Sequence, residues 1–349
     1  MIILRILIII VEFQDLNNME KINNFVNDIA SGKDQAYKNY LIESIQKLVN
    51  VENAEKRDLR LIQKSLSEIV DSISLFGPYR EIRKVSIFGS ARTEPSHPNF
   101  KLAEETARKI TEANMMVITG AGPGIMLAGN KGAQEDKSFG LHIQLPFEEA
   151  ANDYIVNTEK LISYKYFFTR KLTFVKESDA FVLFPGGFGT QDEGFEVLTL
   201  IQTGTCSPRP FVIINYDKSH YWKSWKNYVQ TQLLDRSYIS PLDIEIIKVA
   251  NTPEEAVEYV TSFYKIYHSI KYYNRVACMR INKALNESEL SAIQKEFSSL
   301  LSSGTFKIGS HKDFEDETDI HPDKPRLIFH FNNNFGGLIQ LIEFINKFN

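Results

Sequence analysis

The run "DAFVLFPGGFGTQDEGFE", residues 179–196, decides how the rest of the chain is read. An apolar stretch ends abruptly in glycines at 186, 187 and 189, and Thr190, Asp192 and Glu193 follow at the start of a helical pattern. A strand apolar on both faces belongs in a parallel sheet covered by helices. Glycine lets the backbone turn sharply there and leaves N–H groups exposed. A helix opening at such a turn attracts an anion through its unpaired amides and its dipole. A second reading of the same residues is purely structural. Thr190-Gln191-Asp192-Glu193 fits a capping box, the Thr oxygen taking the N3 amide and the Glu carboxylate reaching back to the cap amide. Capping needs only one turn-forming glycine, however, and bare backbone in this amount suits close approach by a ligand.

Short apolar runs and helical segments alternate outward from this stretch. "KVSIFGS", "MMVITG", "FGLHIQLP", "DAFVLFPGG" and "RPFVIIN" read as strands, with helices at 100–113 and opening at "PGIMLAGNKGA". Thr252-Pro253-Glu254-Glu255 signals a helix over 253–269. The class is α/β, a Rossmann-like doubly wound parallel sheet. Residues 81–272 form this domain. Residues 19–80 are a helical extension, in which Leu59, Ile62, Leu66, Ile69, Val70 and Ile73 share one helix face before Gly77-Pro78 breaks the helix. Residues 273–349 form a small α+β domain with strands "GTFKIG" and "RLIFHFN" and a closing helix at 337–348. The acidic link between those strands, residues 310–325, reads as a solvated loop rather than a His–carboxylate metal site.

Composition narrows the classes. A 349-residue chain with net charge −4 offers no electrostatic case for nucleic acid as a partner. Cys206 and Cys278, with no CxxC pair, indicate reduced thiols in a cytoplasmic protein and no cysteine metal site. The apolar start "MIILRILIIIV" is too short to span a bilayer and is interrupted by Arg5, so residues 1–18 read as a misjudged start, a buried strand or an interfacial anchor. No membrane or metal association is expected.

Three strand ends carry glycine: Gly89-Ser90-Ala91-Arg92, Gly120-Ala121-Gly122-Pro123-Gly124 and Pro185–Thr190. Together they point to a nucleotide-like ligand beyond the strands' carboxyl ends. Neither the Gly-Lys-Ser/Thr of an NTPase loop nor the G-x-G-x-x-G of dinucleotide binding is present at them. A phosphate on the 189–191 amides would repel a neighbouring carboxylate, so Glu193 must face another part of the ligand. A nucleoside monophosphate supplies one: breaking its N-glycosidic bond develops an oxocarbenium-like cation that a fixed carboxylate stabilises, or whose attacking water it activates. Arg170 and Lys171 in "FFTRKLTF" offer cations to the leaving base and the phosphate, unless they are a solvated pair on a helix surface.

The stretches "TGAGPGIMLAGNKGA" (119–133), "TRKLTF" (169–174) and "PGGFGTQDE" (185–193) resemble the Lonely Guy family, formerly labelled lysine decarboxylases. The last matches that family's PGGxGTxxE motif, and the likeness covers about residues 80–270. The longer bacterial members, with a helical N-terminal extension and an extra C-terminal unit, are similar in layout. The resemblance implies a phosphoribohydrolase that releases free base and ribose 5-phosphate from a nucleoside 5′-monophosphate, without metal or organic cofactor. By motif position it implies catalytic roles for Arg170 and Glu193, and a phosphate loop of Gly186, Gly187, Gly189 and Thr190. Ser90 and Gly122 would face the ligand, with Lys171 beside it. A homodimer or larger assembly is also implied. Ala121, where many members have a third consecutive glycine, and Gln191-Asp192, where Leu-Glu is common, depart from the pattern. A decarboxylase would need a pyridoxal-binding lysine with a supporting acid, a context that Lys171 lacks.

Overall fold

The computed structural model describes residues 18–146, 150–216, 220–314 and 321–348. Residues 1–17 of the apolar start and 315–320 of the acidic link lie outside them. No helix among the described residues is long and apolar enough to cross a membrane.

The chain divides into two compact units, residues 1–66 and 67–349. In the first, α1 (Asn18–Ile29) and α2 (Gln35–Val49) share a small core of Ile22, Val26, Ala30 and Ile45. Asp34 caps α2 by accepting the Tyr37 amide at 2.8 Å. Helix α3 (Lys56–Phe76) begins in this unit, ends in the second, and stops where Gly77-Pro78 requires.

The second unit is built on seven parallel strands: β1 (Lys84–Phe88), β2 (Met116–Thr119), β3 (Ser138–Ile143), β4 (Leu161–Tyr164), β5 (Ala180–Leu183), β6 (Phe211–Ile214) and β7 (Ile247–Ala250). Their order is β4-β3-β2-β1-β5-β6-β7. The chain therefore winds outward from β1 in one direction and resumes at β5 in the other, leaving a crevice beyond the adjacent ends of β1 and β5. Helices α4 (Pro98–Glu112), α5 (Ile125–Ala133) and α9 (Pro253–Phe263) cover one face, against Val85, Ile87, Val117, Val182 and Val212. Helices α6 (Phe167–Glu177), α7 (Phe188–Gln202) and α8 (Tyr221–Tyr228), with the end of α3, cover the other, against Phe88, Phe181, Leu183 and Phe211. Residues adjacent along a strand go to opposite faces, so central strands read as unbroken apolar runs. The edge strands β4 and β7 expose Ser163 and Lys248, and their patterns are too weak to read as strands.

One expected element is corrected. The helix from Pro253 ends at Phe263, and residues 267–269 belong instead to strand β8 (Tyr267–Tyr273). The cause lies about 80 residues further along the chain. Asn346 Oδ1 accepts the amides of Ile266 and Tyr267 at 2.6 and 3.1 Å, and its Nδ2 donates to Phe263 O at 2.6 Å. That side chain takes up the backbone groups at the turn from helix to strand. Strand β8 then pairs antiparallel with β9 (Val276–Ile281), which pairs with β11 (Arg326–Phe331) and that with β10 (Leu301–Gly309), giving a second sheet of order β10-β11-β9-β8. Helices α10 (Glu287–Phe297) and α11 (Phe335–Ile345) complete this part, whose Met279, Ile293, Phe329 and Leu338 run into the same core as Phe181 and Phe211.

Helices α4 and α5 meet backbone to backbone: a Cβ on Gly132 would fall 2.0 Å from Glu104 O. Gly132→Ala should therefore cost about 1–3 kcal/mol. The expected readout is a melting temperature lowered by several degrees in circular dichroism, with helix content retained.

Candidate active site

The crevice at the strand switch is a cavity of about 950 Å³. Ser90 after β1, Gly122 after β2, Arg170 on α6, and Gly186, Gly187, Gly189, Thr190 and Glu193 at the start of α7 all line it. The loops are tied directly to each other. Ser90 N donates to Pro185 O at 3.1 Å, and Ile125 N donates to Ser90 O at 3.0 Å.

The capping-box reading does not hold. Helix α7 starts at Phe188, with Gly187 as its cap residue and no side-chain cap hydrogen bond, so Thr190 and Glu193 already lie inside the helix. Entry three residues earlier is possible because Gly186 lets Thr190 close in: a Cβ on Gly186 would lie 2.1 Å from Thr190 Oγ1. Around Gly187 and Gly189 there is open space within 4 Å of where a Cβ would stand, so the first amides of α7 border the cavity unobstructed.

Arg170 is set by the strands opposite. Its Nε donates to Leu141 O at 2.7 Å, and the guanidinium carbon lies 5.2 Å from the Phe174 ring centroid. A Cβ on Gly120 would fall 2.3 Å from Arg170 Nη2, so glycine is needed for the guanidinium to pass that strand end. Ala121 has φ +60 and is fully buried. This is the left-handed region that alanine enters only at a cost of about 1–2 kcal/mol. Hydrogen bonds from Ala121 N to Thr119 Oγ1 at 3.0 Å and from Asn152 N to Ala121 O at 2.8 Å hold it there.

Glu193 is 7% exposed. Burial pushes its carboxyl up to about 7, against the opposing pull of Arg170 and Lys171. Lys171 is the one expected site residue that does not line the cavity. Its ammonium bridges Asp192 Oδ1 and Glu196 Oε2, each at 2.9 Å, clasping α6 to α7. Burial lowers its pKa, but Glu196 and Asp192 more than offset this and hold it above the ordinary lysine value.

The sequence reading passed over several residues. Met126, His142, Ile143, Leu145 and Phe167 form a largely apolar wall of the cavity, and Phe188 stands at its rim, 96% exposed. Helix α3 contributes Glu68, 1% exposed, which accepts from Lys165 N at 2.7 Å and from Thr169 Oγ1 at the head of the helix that carries Arg170. One turn on, Ser72 Oγ bonds Tyr164 Oη at 2.6 Å and accepts from Thr173 at 3.2 Å. Glu68 and Ser72 are buried while Val70 and Ile73 remain 39% and 40% exposed, the reverse of what the apolar stripe suggests. Polar residues four apart on one helix were the signal available.

Comparison with known proteins adds the chemistry of relatives to this geometry. Residues 125–260, which include Arg170 and the whole of α7, match the family described as "Possible lysine decarboxylase". Over its α/β core this chain is similar to the Lonely Guy family. The cytokinin riboside 5′-monophosphate phosphoribohydrolase LOG3 of Arabidopsis thaliana is 37% identical over 26% of this chain and 40% of its own length. "Probable cytokinin riboside 5′-monophosphate phosphoribohydrolase LOGL3" of Oryza sativa subsp. japonica is 33% identical over 31% of this chain and 46% of its own length. A bacterial relative, the cytokinin riboside 5′-monophosphate phosphoribohydrolase of Mycobacterium tuberculosis, is 32% identical over 29% of this chain and 52% of its own. The chain thus spans about half or less of the length of these relatives.

The raised Glu193 pKa has a consequence for stability. The folded protein holds this proton up to about pH 7, whereas the unfolded chain releases it near 4.5. The stabilisation is therefore complete below 4.5 and is lost as pH rises through 7. The gap corresponds to at most about 3 kcal/mol. Glu193→Gln should melt at the parent's temperature near pH 4.5 and several degrees above it at pH 8, as followed by calorimetry across that range.

Proposed function

We propose that the protein hydrolyses the N-glycosidic bond of nucleoside 5′-monophosphates, giving free base and ribose 5-phosphate. The observation that carries this reading is Glu193, buried in the wall of the cavity that Arg170 also enters, one helical turn beyond amides bordered by open space. The phosphate would rest on the amides of residues 186–190, where the helix dipole favours an anion. The sugar would then lie over Glu193. As a carboxylate, Glu193 stabilises the cationic sugar or takes a proton from the attacking water; the water oxygen bonds to C1′ as the bond to the base nitrogen breaks, and the leaving base acquires a proton. Arg170 assists by stabilising negative charge on the departing base or the phosphate. Lys171, joined to Asp192 and Glu196, supports the reading by neutralising the two acids beside Glu193. The resemblance to the family supports a homodimer or larger assembly in the cytoplasm, with no cofactor in the reaction.

A panel of monophosphates incubated with purified protein and analysed for free base tests this. Base release is expected for at least one of them, reduced 10²–10⁴-fold in Glu193→Gln and strongly in Arg170→Ala. Because burial holds the Glu193 carboxyl near 7, kcat should rise through that pH and level off above it. Saturable nucleotide binding with no base from any substrate would instead make the pocket that of a nucleotide sensor.

A further inference from the structure

A second, smaller recess of about 490 Å³ lies behind the glycine loop, lined by Ser90, Thr93, His97, Tyr216, Gly186 and Tyr221 among others. Gly186 borders both spaces, whereas Gly187 borders the main cavity and Tyr221 the recess. Tyr221 Oη donates to Gly186 O at 2.6 Å. It also accepts from Gln191 Nε2, and Gln191 Oε1 accepts from Trp225 Nε1 at 2.8 Å.

The direction of this chain of hydrogen bonds is fixed by chemistry. The indole N–H of Trp225 can only donate, so the Gln191 amide must turn its oxygen toward it and its NH₂ toward Tyr221. A tyrosine hydroxyl has a single proton. With the Gln191 NH₂ donating to its oxygen, that proton is directed to Gly186 O. The Gly186–Gly187 peptide is trans and planar, so its N–H points opposite to its C=O. A carbonyl drawn back toward Tyr221 turns the Gly187 N–H forward, to the side on which Gly187 borders the cavity. We propose that Trp225, Gln191 and Tyr221 form a positioning relay that fixes the Gly186–Gly187 peptide with its amide toward the substrate phosphate. This rests on the function proposed above and deepens it. A leucine at position 191 could not pass on the proton's direction.

The test compares ribose 5-phosphate and adenosine by calorimetry, together with the Gly187 amide resonance in protein labelled with nitrogen-15 glycine. Wild-type protein that binds no ribose 5-phosphate and no nucleoside monophosphate would remove the proposed function itself. If the wild type binds, Tyr221→Phe and Gln191→Met should each weaken ribose 5-phosphate about three- to tenfold, the worth of one hydrogen bond. Adenosine affinity should not change, and the phosphate-induced shift of the Gly187 resonance should shrink. Unchanged ribose 5-phosphate affinity in both variants overturns the relay. So does an equal loss for adenosine, or a Gly187 shift that matches the wild type. Should Tyr221→Phe not fold, the same three readings on Gln191→Met decide the matter.

Discussion

The hydrogen bond from Ser90 N to Pro185 O, 3.1 Å long, joins the ends of β1 and β5 across the point where the sheet reverses its winding. Two loops far apart in the chain are thereby held at a fixed separation, and everything in the cavity is referred to that joint. On one side Ser90 also receives the first amide of α5. On the other, Gly186 and Thr190 set the entry of α7. The amides of α7 and the Glu193 carboxyl take their positions from that entry. Moving the start of the helix by three residues, to where a capping box would put it, would shift Glu193 by nearly one turn, about 4.5 Å, along the helix.

Electrostatics in the site follow from burial and from how charges are apportioned. Five ionisable groups on α6 and α7 are divided into two sets. Lys171 neutralises Asp192 and Glu196, while Glu193 stays in the cavity wall, desolvated and opposed by Arg170. The division leaves Glu193 as the desolvated acid of the group. Glu68 supports it from α3: a buried acid at the head of α6 takes up the Lys165 amide and the Thr169 hydroxyl, and Arg170 is the next residue.

Much of the layout was legible. The five central strands, the three glycine loops and the break after α3 all follow from local pattern, because apolar runs, glycine and proline act within a few residues. The edge strands were not, since Lys248 and Ser163 face solvent and interrupt the pattern. Nor was the end of α9, where Asn346 intervenes from the last turn of the chain. Arg170 and the glycine loop were singled out from residue type and order, and both line the cavity. Lys171 was expected beside the ligand and lies instead between two acids, a choice made by which acids α7 presents to it.

By itself, then, the sequence determined a wound parallel sheet with bare loops at its strand ends, and an acid and an arginine within reach of them. Those features depend on side-chain period and backbone freedom, which are local. Tertiary structure alone decided that Glu193 enters the cavity rather than capping its own helix, and that a carboxylate from α3 supports Arg170. It also decided that Trp225, Gln191 and Tyr221 are hydrogen-bonded in a row that ends on the Gly186 carbonyl. Each of those outcomes depends on which distant groups are brought within hydrogen-bonding distance, and no local pattern records that.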